Sequence, residues 1–533
     1  LASKDINSVA ATTAGVYASD EGGALNVRGG RSSNTTYFVD GVKVFGKPNL
    51  PQQAIEQLNV ITGGVPANYG DLTAGAISIS TRGPQAKYFG GIELISSQLT
   101  DKFGYNSLGF SVGGPLYKKR DSTRRTVLGF FVAGQGNYIK EPNPSFVPIY
   151  VLKDEKLQDL KDKPLIPSRS GSGFVRSSEF VTKEDMYTQR FRPNAVARLL
   201  SLNGKIDYAP TPNLNISTGG VFEYSDAYNA SVGNQLFNSA NNSQSVSRDF
   251  RINSSVTYKF GNTNNNDKNK SQSLISNAFF KFLASYERST GITQSAVHKQ
   301  NFFNYGYVGK FERTFLEQDF AYNYAYTPSY VYNGQAVNAY TYTGRQELPV
   351  KFTPADINTD AGLYTSYLIS QSNPNAISLG YLNANNGMIN GSYPSSIYSL
   401  YNNFGAYPNF YSTSTLAQFR IASSFNADVK SHALTIGLEY DQRVSSYYTL
   451  NSTELWNRMR LITNLHTQEI DKSNPHLNEN LSGLIPYYYF DYQYQKDKQT
   501  QFSERLLDKL GLPRNDTRFI NTDGLDPSTF SMD

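Results

Sequence analysis

The chain contains no cysteine in its 533 residues. Disulfide staples and thiolate metal sites are therefore excluded. Nor does any stretch approach the roughly 18–20 consecutive apolar residues of a spanning helix, which excludes an α-helical membrane protein. Only four histidines occur, His298, His432, His466 and His476, and none falls in H-E-x-x-H spacing. No nucleophile elbow or Walker loop is read, so no catalytic residue, metal or cofactor is expected. Charge of one sign is scarce too. Forty-nine basic residues against 44 acidic ones leave a net charge of +5, too mild to point to nucleic acid. The first residues, Leu1-Ala2-Ser3-Lys4, lead into no apolar core, so they are not a signal peptide; the signal of an exported protein would have been removed or would lie upstream.

Aromatics and glycine are plentiful: 39 Tyr, 32 Phe and 42 Gly. Such an aromatic content argues against disorder. Mean hydropathy is low, at −0.47. A membrane β-barrel has this profile because its strands alternate apolar and polar residues. A secreted all-β protein has it as well.

Two regions differ in grammar. Residues 1–84 read as a small mixed α+β domain. Short apolar pieces at Leu25–Val27, Tyr37–Val39, Leu58–Ile61 and Ala76–Ile79 are separated by glycine-rich turns. Pro51 to Leu58 is expected to be a short helix, with Pro51 in its first turn and Ala54, Ile55 and Leu58 on one face. Gly83-Pro84 marks the boundary.

From residue 85 the pattern becomes long strands of period two. Leu214, Ile216, Phe222 and Tyr224 oppose Asn215, Ser217, Gly219 and Glu223. Phe250, Ile252, Val256, Tyr258 and Phe260 oppose Arg251, Asn253, Thr257 and Lys259. Strands are expected at 88–99, 105–116, 126–139, 196–208, 214–226, 245–260, 274–290, 416–427 and 434–449. The apolar face could meet a second sheet in a soluble sandwich or lipid in a barrel. The connections favour the barrel. From the third strand on, every long connection lies at one end, about 56, 18 and 125 residues, and every short turn at the other. Long outer loops are thus expected at about 140–195, 291–415 and 450–533. Tyr208, Tyr224, Tyr258, Tyr286, Tyr440, Tyr447 and Tyr448 stand where aromatic girdles would lie.

Within those loops, Lys153 to Lys163 has the opposite-charge pairs of a short solvated helix. The 291–415 loop is dense in Tyr322, Tyr324, Tyr326, Tyr330, Tyr332, Tyr340 and Tyr342, adaptable contact residues or parts of a self-packed lid. Asn262 to Asp267 is oxygen-rich and is read as a solvated turn in preference to a Ca²⁺ loop. The tail from 450 shows a helical piece over Glu454–Met459 and no clear strand. Nine strands cannot close an even-stranded barrel, so the remaining strands are expected outside this chain.

The N-terminal region carries five motif pieces in order: Val27-Arg28-Gly29-Gly30, Tyr37-Phe38-Val39-Asp40-Gly41-Val42, Ile55-Glu56-Gln57-Leu58-Asn59-Val60, Gly63-Gly64-Val65-Pro66-Ala67-Asn68-Tyr69-Gly70 and Gly75 through Gly83. Together they resemble the plug domain of TonB-dependent outer-membrane receptors, in the Bacteroidetes-type, Oar-like form. The resemblance spans residues 20–83 and implies a plug inside a transmembrane barrel of about 22 strands. It picks out Arg28, Gly29, Gly30, Asp40, Gly41, Gly63, Gly64, Tyr69, Gly70, Gly75 and Arg82 as structural plug residues; substrate contacts cannot be read. Glycines there permit positive φ and close packing, and Asp40-Gly41 signals a hairpin. Arg28 and Arg82, if enclosed, need carboxylates; Glu223 and Glu439 of the wall qualify by sign.

Such a receptor takes up a bulky solute (peptide, glycan or metal chelate) in a Gram-negative outer membrane, energised by a TonB-type partner, and makes or breaks no bond in it. Residues 1–20 show no TonB box, and the N-terminal carboxypeptidase-regulatory-like domain usual in Oar-like members is not in this chain. The alternative is a receptor-like barrel serving as a structural or partner-docking subunit of an assembly, secretion or surface-lipoprotein complex. A secreted β-rich enzyme or adhesin is the third reading.

Overall fold

The computed structural model describes residues 6–18, 23–64, 72, 74–101, 103–120, 124–260, 275–322, 330–332, 334–337, 340–478 and 487–532. The N-terminal domain begins with a short helix, Ile6–Ala10, and a two-stranded ribbon of β1 (Val16–Ala18) and β2 (Leu25–Val27). Its main sheet has the order β4 (Val42–Val44), β3 (Thr36–Val39), β6 (Ala76–Thr81), β5 (Ile55–Ile61). The β3–β6 pair is parallel and the others antiparallel. Ile77 and Ile79 are fully buried among Leu25, Tyr37, Val39 and Val42. Burying each of those isoleucines contributes roughly 1.5–3 kcal/mol.

The expected helix at 51–58 is not formed. Gln52–Ala54 make a single 3₁₀ turn, and Ile55–Ile61 is strand β5. A register shift between Ile55 and Gln57 explains the misreading. The inserted residue breaks the period of two, so Ile55 and Leu58 stand three apart, as on a helix, while paired with β6.

The second body is one antiparallel sheet of nine strands: β7 (Phe89–Ser96), β8 (Tyr105–Lys118), β9 (Thr126–Ile139), β10 (Ala197–Tyr208), β11 (Leu214–Asn229), β12 (Ser243–Lys259), β13 (Ile275–Ser295), β14 (Phe410–Val429) and β15 (His432–Asn451). They are hydrogen-bonded in sequence order, with β7 and β15 at the two edges. The sheet is a wall with its faces inverted relative to a soluble sandwich. Ile92 (79% exposed), Leu94, Leu108, Phe110, Leu202, Phe222, Phe250, Ile252, Phe280, Phe282 and Phe419 point outward and are exposed. The opposite, polar face carries the N-terminal domain, whose core takes in Val221 and Leu283 of the wall. An exposed apolar face of this extent has acyl chains as its solvent. Among the described residues no helix is long and apolar enough to cross a membrane; this wall crosses with strands.

Tyr208 and Tyr258 rim the turn end of the outward face and Tyr138 and Tyr448 the other. Tyr286 and Tyr440 lie mid-strand, and Tyr447 falls on the other face by register, so these three are not girdle residues.

The 140–196, 230–242 and 296–409 connections leave from one end of the wall and fold together into a cap. Leu152, Leu160 and Leu165 from the 140–196 connection, Leu236 and Phe237 from 230–242, and Val308, Tyr364, Leu368 and Phe404 from 296–409 share one apolar core. The opposite-charge segment is the helix Asp154–Asp162, as its pairs imply. A second core joins Phe303 and Tyr307 to Trp456, Met459, Leu506 and Phe530 of the C-terminal segment. Helix Ser452–Thr463 covers the expected 454–459 piece. The segment also holds a hairpin, Ile470–Asn478 with Tyr487–Tyr492, where no strand was expected. Pro475 and a register shift between Ile470 and Pro475 hide its alternation. Asn262 to Asp267, Tyr324 and Tyr326 lie outside the described residues, as do the side chains of Tyr322, Tyr330, Tyr332, Tyr340 and Tyr342.

Candidate functional site

The site is the seat of the small domain on the wall. Glu93, Gly109, Gln135, Ser201 and Glu223 are register partners across β7 to β11 and form one rung of the polar face. The connection from β4 to β5 lies along that rung. Gln53 Nε2 donates to Glu93 at 3.1 Å and the Gln52 N–H to Gln135 at 3.3 Å. The Asn49 N–H donates to Glu223 at 3.2 Å, and Ser201 Oγ donates to the Asn49 carbonyl. Gly109 leaves room for this amide, since a Cβ would stand 2.6 Å from Gln53 Nε2 and push it aside. Ala54 fills the hollow over Phe131 and Ala133, with Phe89 stacked on Phe131 at 5.9 Å. Farther along the same connection, Phe45 lies under the Arg443 guanidinium at 5.3 Å, within cation–π range.

A second anchor sits at the tip of the β3–β4 hairpin. Asp40 (φ 52°) and Gly41 (φ 84°) form the two-residue turn that their sequence announces. Asp40 also accepts from the Thr81 N–H at 2.8 Å and from Thr81 Oγ1, tying hairpin to β6. Lys205 of the wall stands 3.7 Å from the same carboxylate and donates to the Thr81 carbonyl at 3.4 Å.

The remaining motif residues converge inside the small domain. Beside Gly75, a Cβ would meet Val27 Cγ1 at 2.5 Å; beside Gly30 it would meet Ala74. The Arg28 side chain lies over Gly63. Three motif pieces distant in sequence thus share one close-packed corner. Gly29 and Gly64 take positive φ nearby. Tyr69 and Gly70 lie outside the described residues. Among the described residues Arg28 and Arg82 do not pair with Glu223 or Glu439, a correction to the pairing that their signs suggested. Both arginines are exposed in this chain. Arg82 donates to the Ile55 carbonyl at 3.3 Å. Glu439 pairs with Arg420 of its own wall at 2.6 Å, and Glu223 holds Asn49.

Residues 1–77 match the model of the TonB-dependent receptor plug domain. The N-terminal domain is a TonB-dependent receptor plug. Seated on the polar face of a lipid-exposed β-wall, the plug occupies the side that a barrel encloses. No curated protein matches the chain. Among solved structures it is similar to the siderophore receptor PirA from Pseudomonas aeruginosa, with 12% identity, 83% of this chain and 54% of that one covered, and a TM-score of 0.33. It is similar to the ferric enterobactin receptor PfeA from the same organism, with 14% identity, 83% and 56% covered, and a TM-score of 0.34. The ferric-catecholate import receptor Fiu from E. coli K12 shows 12% identity, 89% and 60% covered, and a TM-score of 0.33. The chain spans just over half the length of each.

Asn49, Gln52, Gln53, Phe45 and Lys205 carry the seat, and none was marked by sequence reasoning. The connection between the β4 and β5 motifs holds Pro48 and Pro51 and no periodicity, which signals an extended, unpaired course. Such a course is free to bond elsewhere, and here it bonds to the wall.

Proposed function

We propose that the chain forms part of a TonB-dependent receptor in a Gram-negative outer membrane, taking up a bulky solute such as a peptide, glycan or metal chelate by energised displacement of the plug. The supporting observation is the composition of the seat. Among the described residues it includes a rung of single polar contacts, the Lys205–Asp40 ion pair and the small apolar contact of Ala54 with Phe131 and Ala133, and the main plug core takes in Val221, Leu283 and Ala422 of the wall. Each such bond contributes about 0.5–1.5 kcal/mol net, because water replaces it on parting. A plug held this way can leave its seat without baring a large apolar face.

No bond of the solute is altered in this reading. Gly109-Phe110-Ser111-Val112-Gly113 does have the letters of a nucleophile elbow, but it runs mid-strand in β8 without the required strand-to-helix turn. Ser503 Oγ, 3.4 Å from His466 Nδ1, is buried and donates to the Thr463 carbonyl.

The test needs no solute. Asn49→Cys places a single thiol in a cysteine-free chain, at the seat. In energised cells, a membrane-impermeant maleimide should label it faster when TonB is present than in TonB-deficient cells. Equal labelling in both would remove energised displacement. Deleting residues 1–84 from the full-length protein should leave an inserted barrel with raised, nonspecific permeability.

The shared apolar core of the loops favours a second role for the cap. A packed platform, unlike adaptable loops, presents a fixed surface to a lipoprotein or other subunit.

A further inference from the structure

Among the described residues, the outward face of the wall has a hollow beside its apolar belt. Its volume is about 600 Å³, and it lies across β7 to β10. Two rungs line it. Leu94, Leu108 and Gly136 are register partners and form its floor. Ser96, Asn106, Tyr138 and Arg198, partners one step nearer the cap, form its rim. Gly136 opens the floor, since a Cβ there would meet nothing within 4 Å. The hollow closes downward at Gly134, where a Cβ would stand 2.9 Å from Leu202 and also meet Phe110.

The rim carries one cation, Arg198. Arg198 Nη1 pairs with Asp226 at 3.1 Å, and its side chain remains 54% exposed. The second Asp226 oxygen accepts from Gln244 at 2.7 Å. Among the described residues, Asp226 is the one carboxylate that register places on the outward face of the nine strands. Arg248 and Arg288 stand exposed on that face two and three strands along. These arginines gather at the end where the long connections leave, above the uncharged belt.

We propose that this hollow binds one lipid of the outer leaflet with a phosphate and a net negative charge, an acyl chain lying over Leu94, Leu108 and Gly136 and the phosphate on the free Arg198 donors. An apolar floor continuous with a lipid-facing belt selects a chain over a soluble ligand. A guanidinium with spare donors selects an anionic oxygen at the headgroup level. The site rests on the reading that the outward face stands in lipid.

The full-length protein in a non-ionic detergent is titrated with dioleoyl phosphatidylglycerol, dioleoyl phosphatidylcholine or inorganic phosphate, and bound mass is read by native mass spectrometry. One phosphatidylglycerol should be retained at concentrations where phosphatidylcholine is not. Arg198→Gln should lower its occupancy about tenfold, the loss expected of a charge-assisted bond, and Arg198→Lys should recover part of it. Gly136→Phe should abolish it without changing charge, while Phe282→Leu, on the outward face of a distant strand, should not. Wild-type retention in both Arg198→Gln and Gly136→Phe would overturn the site. So would displacement of the lipid by inorganic phosphate, which would leave an anion site only. Heat-modifiable gel mobility is followed throughout. Its loss in the wild type sinks the barrel reading along with the site, whereas intact mobility with no lipid retained sinks the site alone.

Discussion

Asp40 of the plug and Lys205 of the wall meet at 3.7 Å, and both are largely shielded from water. The same carboxylate holds Thr81 and occupies the hairpin turn, so one side chain couples turn, sheet and seat. Lys205→Met removes the wall's half of the pair and leaves the plug's own bonds in place. The plug should unseat more easily by about 1–3 kcal/mol, the cost of leaving a half-buried charge without its partner. In planar bilayers, urea should open Lys205→Met channels at a lower concentration than wild type; an unchanged urea midpoint would contradict the coupling.

Gly75 packs against Val27, and a methyl group there has no room. Gly75→Ala should cost the plug about 1–3 kcal/mol through overpacking. The wall should be unaffected, because the atoms that the added methyl would press on, in Val27 and Ile61, belong to the plug. Limited proteolysis should therefore clip the N-terminal domain of this variant sooner, with heat-modifiable mobility preserved.

The wall was legible because its signal is local and repeated. Alternation placed all nine strands, with 126–139 bounded as observed and the others extended or trimmed at their ends. The plug was legible through turn chemistry, as at Asp40-Gly41. What escaped was non-local. Lys205 has the sequence signature of any inward polar residue, and nothing in its neighbours says that it meets Asp40 across 165 positions. Ile55 and Leu58 imitate a helix because a bulge shifts their register, a feature set by pairing with β6. The cap cores escaped for a related reason. Their members come from separate connections, each too polar alone to predict a core.

Helix Ser452–Thr463 is fastened to the cap by Arg460, whose Nε and Nη2 reach the two oxygens of Asp523 at 2.8 and 2.7 Å. Asp523 is completely buried and also accepts from Asn390 Nδ2 at 3.2 Å. Asp523→Ala leaves the guanidinium without its counter-charge, a loss of about 3–5 kcal/mol for a buried pair. Trp456, the only tryptophan, reports on this packing: it stacks on Tyr307 at 5.6 Å and donates to the Tyr305 carbonyl at 3.1 Å. Its fluorescence should red-shift and its melt fall by several degrees in Asp523→Ala, with the barrel still resistant to unheated detergent. A melt matching wild type would mean that the Arg460–Asp523 pair adds nothing.

The cap should also lose stability in mild acid. His298 is buried against Tyr305 and bonded to Asn358 at 2.7 Å, and burial lowers its pKa below 6.5. His466 is lowered as well, again chiefly by burial. In each case the unfolded imidazole takes a proton more readily than the folded one. Their stabilisation is therefore complete above the unfolded value near 6.5 and is lost as pH falls through the folded pKa. The Trp456 melting midpoint should hold steady between pH 8 and pH 7 and decline from about pH 6.5 downward. His298→Gln keeps a donor for Asn358 without a titrating ring, so it should flatten part of that decline. Since the plug seat contains no histidine, its urea midpoint should not follow the same curve; a seat that loosened in parallel with the cap would show that a shared group, not these two imidazoles, governs both.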